Sequence, residues 1–256
     1  MTAQPSGRRW RQALARRLRD ERGYTLIELM IASVAGIIVT AALGAIVIST
    51  VKFSSNSTDR VDANQEGAVA MEKITQALNS SCVASQVPPV VSTGATGSYV
   101  TNATQMYFYS SLTDGPVITP NLDEVALTNG QLVINTYANN GGSAPYATNA
   151  NPWTFVSTAA PSLTLLPDAT QTVNSSGTVP VFQYYGYSGG TLSSTPFTTP
   201  LSPANAATTS EVVISFRSLP SDNNTTTNRG ADLTNSVVLR LTPASANTGA
   251  TNIPCS

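Results

Sequence analysis

Between Gly23 and Val51 the chain reads GYTLIELMIASVAGIIVTAALGAIVISTV, and from Leu29 to Val51 it carries no charged residue for 23 positions. At about 1.5 Å per residue such a run crosses the apolar core of a bilayer as one helix, for which about 20 residues are enough. A single carboxylate, Glu28, sits near its start. Residues 1–23 hold seven arginines against Asp20 and Glu21. Subtracting these from totals of 13 basic and 14 acidic residues leaves 6 and 12 from Tyr24 onward. The positive charge therefore lies before the apolar run, which keeps that end cytoplasmic and sends everything after Val51 outward.

The rest of the composition fits an exported domain. Apolar residues make up 41% of the 256, ample for one sizeable core, while charged residues are only 11%, well below the usual quarter. A surface rich in Ser, Thr, Asn, Gly and Ala suits an extracellular setting better than nucleic-acid binding. The chain has two cysteines, Cys82 and Cys255. Outside the cytoplasm they can be oxidised, and one intramolecular bridge is the simplest pairing, tying the last residues to the end of the first long helix. Two buried thiols are the alternative.

Residues 1–22 read either as a short basic amphipathic helix at the inner membrane face or, more simply, as a leader that is removed. An ordinary secretory signal places a small-residue cleavage site after its apolar run. Here the run ends in ISTVKFSSNS with no A-x-A pattern, and a lone glycine, Gly23, precedes it instead.

Arg22-Gly23-Tyr24-Thr25-Leu26-Ile27-Glu28-Leu29-Met30 resembles the prepilin processing motif of type IV pilins and type II secretion pseudopilins. The resemblance implies cleavage between Gly23 and Tyr24 on the cytoplasmic side, N-methylation of Tyr24, and Glu28 as the fifth mature residue. The family usually has Phe where this chain has Tyr24, so the aromatic is retained. It also implies partners: a prepilin peptidase, a platform protein, an assembly ATPase and other pilin subunits. A carboxylate in an apolar span needs a partner. Glu28 lies about one turn from the amine that cleavage creates, and pairing with the N-terminal ammonium of a neighbouring subunit would neutralise both. For an isolated anchor, Glu28 would simply sit at headgroup level.

Small residues Ala32, Gly36, Thr40 and Gly44 recur every four positions and line one side of the helix, where they permit close helix–helix approach. No proline interrupts the chain from Gly23 to Gln86. The apolar positions Val61, Ala68, Met71, Ile74 and Leu78 continue as an amphipathic stripe. The opposite face carries Asp59, Arg60, Asp62, Glu66, Glu72 and Lys73. One helix from about Thr25 to about Ser85, roughly 90 Å long, follows from the standard rise. Ser54–Thr58 is a weak helix former and marks where the helix leaves the membrane, and Pro88-Pro89 ends it.

After Val90 short β-rich runs alternate with Gly, Pro, Asn and Ser turns. Strands are expected at Gln105–Ser110, Glu124–Leu127, Gln131–Tyr137, Thr154–Ser157, Ser162–Leu166, Val179–Tyr187, Glu211–Arg217 and Ser236–Leu241. Thr128-Asn129-Gly130 marks a hairpin, since Asn-Gly supplies positive φ. Val237, Leu239 and Leu241 alternate with Val238 and Arg240, placing one face on the core. Long loops are expected at 138–152, 189–209 and 219–232. The segments VFQYYGYSGGTL, EVVISFRSLP and LTNSVVLRL resemble the C-terminal sheet of larger minor pilins and J-type pseudopilins, and the chain length points the same way.

The expected fold is α+β: a long N-terminal helix, transmembrane in its first half and amphipathic in its second, packed on a C-terminal antiparallel β-sheet domain. The boundaries are a cleaved leader at 1–23, a membrane and filament-core helix at 24–51, an amphipathic continuation at 52–87 and a β-rich extracytoplasmic domain at 88–256.

Catalytic chemistry finds little support. The chain has no histidine, which removes the commonest general base and zinc ligand. No P-loop, dinucleotide or G-x-S-x-G motif occurs. Asp123 and Glu124 are adjacent, and neighbours in a strand point to opposite faces, which disfavours a dyad. Asp222-Asn223-Asn224 lacks the full calcium-loop pattern. The aromatics Tyr107, Phe108, Tyr109, Tyr184, Tyr185 and Tyr187 suit sheet packing better than stacking on nucleic acid, because no Lys or Arg is interleaved with them. No cofactor and no metal is expected. The resemblance implies a filament subunit, a minor pilin, that lives first in the cytoplasmic membrane and then in an extracellular or periplasmic fibre. A type II secretion pseudopilin and a filament-displayed adhesin or DNA-uptake tip share the same motif.

Overall fold

The computed structural model describes residues 24–81, 88–94, 98–110, 120–141, 153–188, 190–220 and 230–239. The expected α+β layout is present: a long apolar N-terminal helix followed by antiparallel sheets. Helix α1 spans Leu26–Asn79, 54 residues. By internal contacts the chain divides into two units, Met1–Ser55 and Asn56–Ser256.

In the first unit every described residue of α1 is exposed. Large side chains such as Ile37, Val39 and Ile46 keep more than half of their surface accessible. Three hydroxyls of this stretch turn inward on their own helix. Ser33 donates to Met30 O at 2.8 Å, Thr40 to Gly36 O at 2.5 Å and Thr50 to Ile46 O at 2.9 Å. A polar group without water must find such a bond locally, so these three hydroxyls are already satisfied for an apolar medium.

In the second unit α1 buries one face: Ala63, Gly67, Ala70, Met71, Ile74 and Leu78. The spacing keeps to the 3.6-residue period. Val61 and Ala68, expected in this stripe, are instead exposed. The small residues Ala63, Gly67 and Ala70 take the buried places, because the sheet comes close there. A Cβ on Gly67 would lie 2.5 Å from Leu233 Cδ1. The helix also ends at Asn79, earlier than the expected Ser85. Ser80 and Ser81 turn their hydroxyls onto Ala77 O and Leu78 O at 2.7 and 2.6 Å, covering carbonyls that the helix leaves open.

Strands β1 (Gln105–Ser110), β2 (Asn121–Thr128), β3 (Gln131–Tyr137) and β6 (Leu163–Leu166) form a four-stranded antiparallel sheet in the order β1-β2-β3-β6. The β2–β3 hairpin turns at Asn129 (φ 52°) and Gly130 (φ 78°), the positive pair that a tight two-residue turn requires. β4 (Asn139–Gly141) pairs with β5 (Thr154–Phe155), and β8 (Val173–Asn174) with β9 (Gly177–Thr178).

The second sheet runs β11-β10-β12-β13 and comprises Thr191–Leu192, Phe182–Ser188, Thr209–Ser218 and Ala231–Val238, with β7 (Ala169–Thr170) on β12. Strand β13 begins at Ala231, not Ser236, because β12 pairs with it all the way from Ser218↔Ala231 to Glu211↔Val238. Strand β10 begins at Phe182, two residues after Pro180, which has no N–H for the ladder. The expected 189–209 loop contains β11 and a short helix, α2 (Pro203–Thr208), capped by the Ser202 hydroxyl on Asn205 N. Val237 and Leu239 are buried and Val238 is exposed, as the alternation requires.

One core joins these parts. Met106, Phe108 and Leu132 of the first sheet meet Phe182, Ile214 and Phe216 of the second, and Ile74 and Leu78 of α1. A smaller cluster of Val91, Tyr107 and Leu122 lies on the other face of the first sheet, with Tyr99, Tyr109, Tyr137 and Phe155 against it.

Candidate functional site

The processing segment begins at the foot of α1. Gly23 lies outside the described residues. Tyr24 is not helical and is 82% exposed. Thr25 stands at the cap of the helix: its carbonyl accepts the Glu28 and Leu29 amides at 3.0 and 3.2 Å, and its hydroxyl oxygen accepts the Glu28 amide at 3.3 Å. Glu28 is exposed on the first turn, the helix end that favours negative charge. Thr25 was not singled out from the sequence as a functional residue. The signal was there, since Thr-x-x-Glu before an apolar run is the capping-box spacing.

Ala32, Gly36, Thr40 and Gly44 follow on the same helix, all exposed. A Cβ on Gly36 or Gly44 would meet nothing within 4 Å. The Thr40 hydroxyl is turned down onto Gly36 O and Ile37 O, leaving its methyl as the outward group. The face is thus shallow and apolar. By length and composition α1 is the one helix among the described residues able to cross a membrane.

The second cysteine, Cys255, and its candidate partner, Cys82, lie outside the described residues, as does Asp222-Asn223-Asn224. Among the described residues no group of three or more potential acidic or thiol ligands gathers to hold a metal.

Asp123 and Glu124 face opposite ways, as adjacent strand residues must. Asp123 Oδ1 accepts the Thr136 hydroxyl at 2.7 Å. Glu124, 4% exposed, is bonded on both oxygens. Oε1 accepts from Gln105 Nε2 and from the Tyr107 hydroxyl at 3.2 Å; Oε2 accepts from Asn135 Nδ2 at 3.0 Å and the Tyr137 hydroxyl at 2.7 Å. The donors come from both neighbouring strands, so the carboxylate pins β1, β2 and β3 in register. Burial first, and then the Glu124 charge and its hydrogen bond, push the Tyr107 phenol well above its ordinary value. Burial and the bond to Glu124 do the same for Tyr137. Both phenols therefore stay neutral donors.

The six aromatics named from the sequence do not assemble into one surface. Tyr107, Phe108 and Tyr184 are buried, Tyr109 packs edge-on against Trp153 with centroids 5.0 Å apart, and Tyr187 alone is 58% exposed. A groove of about 720 Å³ runs between α1 and β13, with Asn64, Ala68, Met71 and Glu72 on the helix side and Leu233 and Asn235 on the strand side. The Asn235 amide donates to the Thr75 hydroxyl at 3.2 Å across it.

No curated protein and no solved structure matches the chain. The prokaryotic N-terminal methylation motif matches residues 18–44. That stretch runs from the last arginines before Gly23 through Glu28 to Gly44, and it supports a type IV pilin-like family for this chain, as a subunit of the pilin or pseudopilin kind.

Proposed function

We propose that the protein is a structural subunit, a minor pilin, of a type IV pilus-like filament. A prepilin peptidase removes residues 1–23 and Tyr24 becomes the methylated N-terminus. Residues 24–51 hold the subunit in the cytoplasmic membrane with its globular part outside, until platform protein and ATPase move it into the fibre. There Glu28 pairs with the N-terminal ammonium of a neighbouring pilin, and Ala32, Gly36, Thr40 and Gly44 let helices approach. The observation that carries this reading is the apolar stretch of α1, unburied among the described residues and overlapping the N-terminal methylation motif at residues 18–44. Cys82 and Cys255 are assigned to a single bridge, to be checked by peptide mapping without reductant.

Mass spectrometry of the mature N-terminus tests the proposal. N-methylated Tyr24 is the expected species; an intact leader, or cleavage after Val51, overturns it. Glu28→Ala is expected to be cleaved normally and to enter filaments poorly, and normal entry removes the role given to Glu28. The pseudopilin reading shares the motif and is separated by a deletion strain, which would lose protein secretion and keep its surface fibres.

A further inference from the structure

The second sheet ends on one side at β13, and its ladder tells which way that strand's backbone faces. Leu239 N donates to Ser210 O at 2.9 Å, one step beyond the Glu211↔Val238 pair. Bonded positions alternate along an antiparallel pair. Leu233, Asn235 and Val237 therefore turn their amides and carbonyls to β12, while Asp232, Thr234, Ser236 and Val238 turn theirs away from it. All four are exposed, and none of these outward groups has a backbone partner among the described residues. Such an edge is a template for another strand, and charge or proline usually blunts it. β13 has no proline, and its one charge, Asp232, is paired with Arg217 at 3.1 Å. Beside this edge lies the groove against α1.

The geometry also places the start of the residues that follow. Leu233 closes on Gly67 and Asn235 on Thr75, so β13 and the second half of α1 run in the same direction. Leu239 and Ser81 therefore lie toward the same end of the groove. The chain continues from Leu239 as residues 240–256, with no charge after Arg240 and with a turn sequence, Asn247-Thr248-Gly249, near the middle. Cys82 directly follows Ser81, so the single bridge assigned above returns Cys255 to the end from which the tail departs. Seven residues of extended chain span about 23 Å. The groove, from Asn64 to Asn79 of α1, is about 22 Å long. That length of chain runs out along the groove, turns at Asn247–Gly249 and comes back.

We propose that residues 240–256 fill this groove, the outgoing leg adding a strand to the open edge of β13. The tail thereby closes the sheet against strands of other chains. The length match rests on the bridge assigned above; the open edge and the groove do not.

Hydrogen exchange at single amides of the detergent-solubilised full chain, compared with a chain ending at Leu239, tests the proposal. The outward amides of Thr234, Ser236 and Val238 are expected to exchange about ten-fold more slowly in the full chain than in the shortened one. The inward amides of Leu233, Asn235 and Val237 are expected to be slow in both, which shows that the sheet is folded. Ala246→Pro keeps the whole tail and both cysteines but removes a strand amide, and it is expected to speed the outward amides alone. It decides the matter should the shortened chain lose its inward protection as well. Outward amides that are fast in the full chain, or equally slow in all three chains, overturn the proposal. So does protection that grows with protein concentration, which names a second copy as the occupant. Peptide mapping without reductant reads the bridge on the same samples. A bridge with fast outward amides strikes the docking and leaves the bridge; slow outward amides without a bridge do the reverse.

Discussion

Glu28 and Glu124 are two carboxylates in largely apolar settings, and the two regions around them solve the problem of polarity in opposite ways. Glu124 is 4% exposed and has four donors from two neighbouring strands. Glu28 stands on an exposed turn, and its carboxylate makes no hydrogen bond among the described residues. The same contrast runs through the side chains around them. Ile74 is wholly buried within its own chain, while Ile37, on the same helix, is 68% exposed. The globular unit meets its demands internally. The first unit meets only those that a helix can meet alone, such as the hydroxyls of Ser33, Thr40 and Thr50, and on the proposed reading leaves the rest to lipid first and to sibling helices afterwards.

The largest effect expected from this contrast is at Ile74. Ile74→Ala empties a fully packed site and should cost about 2–5 kcal/mol in denaturation of the globular unit, whereas Ile37→Ala should fall within about 0.5 kcal/mol by the same assay. Equal losses would mean that the first unit also packs within the chain. A matched pair of charges sharpens the point. Val39 and Val69 are similarly exposed, at 58% and 52%. Val39→Asp places a carboxylate in the apolar stretch at about 2.5–3.5 kcal/mol and should shift the protein out of the membrane fraction. Val69→Asp should leave that fraction unchanged. If both behaved alike, exposure alone would govern and the boundary near Ser55 would carry no meaning.

Much of this arrangement is readable from local residues, and what is not readable depends on pairing. β1 and β3 end where the sequence changes character, and Asn129-Gly130 fixes the turn between β2 and β3 because few other residues accept two positive φ values. The N-terminal methylation motif is legible because charge, glycine and apolar run lie in one line. The buried face of α1 was misread at Val61 and Ala68, since hydropathy favours valine over the glycine that Leu233 requires at position 67. The first half of β13 looks like loop by composition and becomes strand only because β12 extends alongside it. The Glu124 network was invisible for the same reason: its donors sit on the two strands flanking β2, and only their register brings Gln105, Tyr107, Asn135 and Tyr137 to one point.

Glu124→Ala therefore separates the two carboxylates at a smaller scale. It removes the acceptor shared by two phenols and two amides, of which Tyr107 is the most deeply buried. Leaving such a donor unpaired costs about 1–3 kcal/mol, seen as a lower unfolding midpoint of the globular unit, with filament entry of the surviving folded chains unaffected. Glu28→Ala should do the reverse, leaving the midpoint alone and reducing entry. A drop in midpoint for Glu28→Ala, or none for Glu124→Ala, would erase the distinction between a carboxylate satisfied at home and one held for a partner.

The finest discrimination comes from alkaline pH, because the globular unit holds buried phenols and the apolar helix has only Tyr24, exposed beyond its start. Burial pushes the Tyr109 phenol up to about 12 from its ordinary value of about 10, with Tyr99 adding to the rise. A group raised in the folded state keeps its proton there after the unfolded chain has lost it. The associated stability is whole below about pH 10 and declines as the pH climbs through about 12. Tyr109→Phe should flatten that part of the pH profile while leaving the neutral-pH midpoint nearly unchanged, because the phenyl ring keeps its edge-on packing on Trp153. Tyr24→Phe, at a residue 82% exposed and outside both the helix and the core, should leave the alkaline slope as it is. An equal flattening by both variants would place the alkaline sensitivity outside the packed sheet, and the globular unit would then be no more self-sufficient in its phenols than the helix is in its apolar side chains.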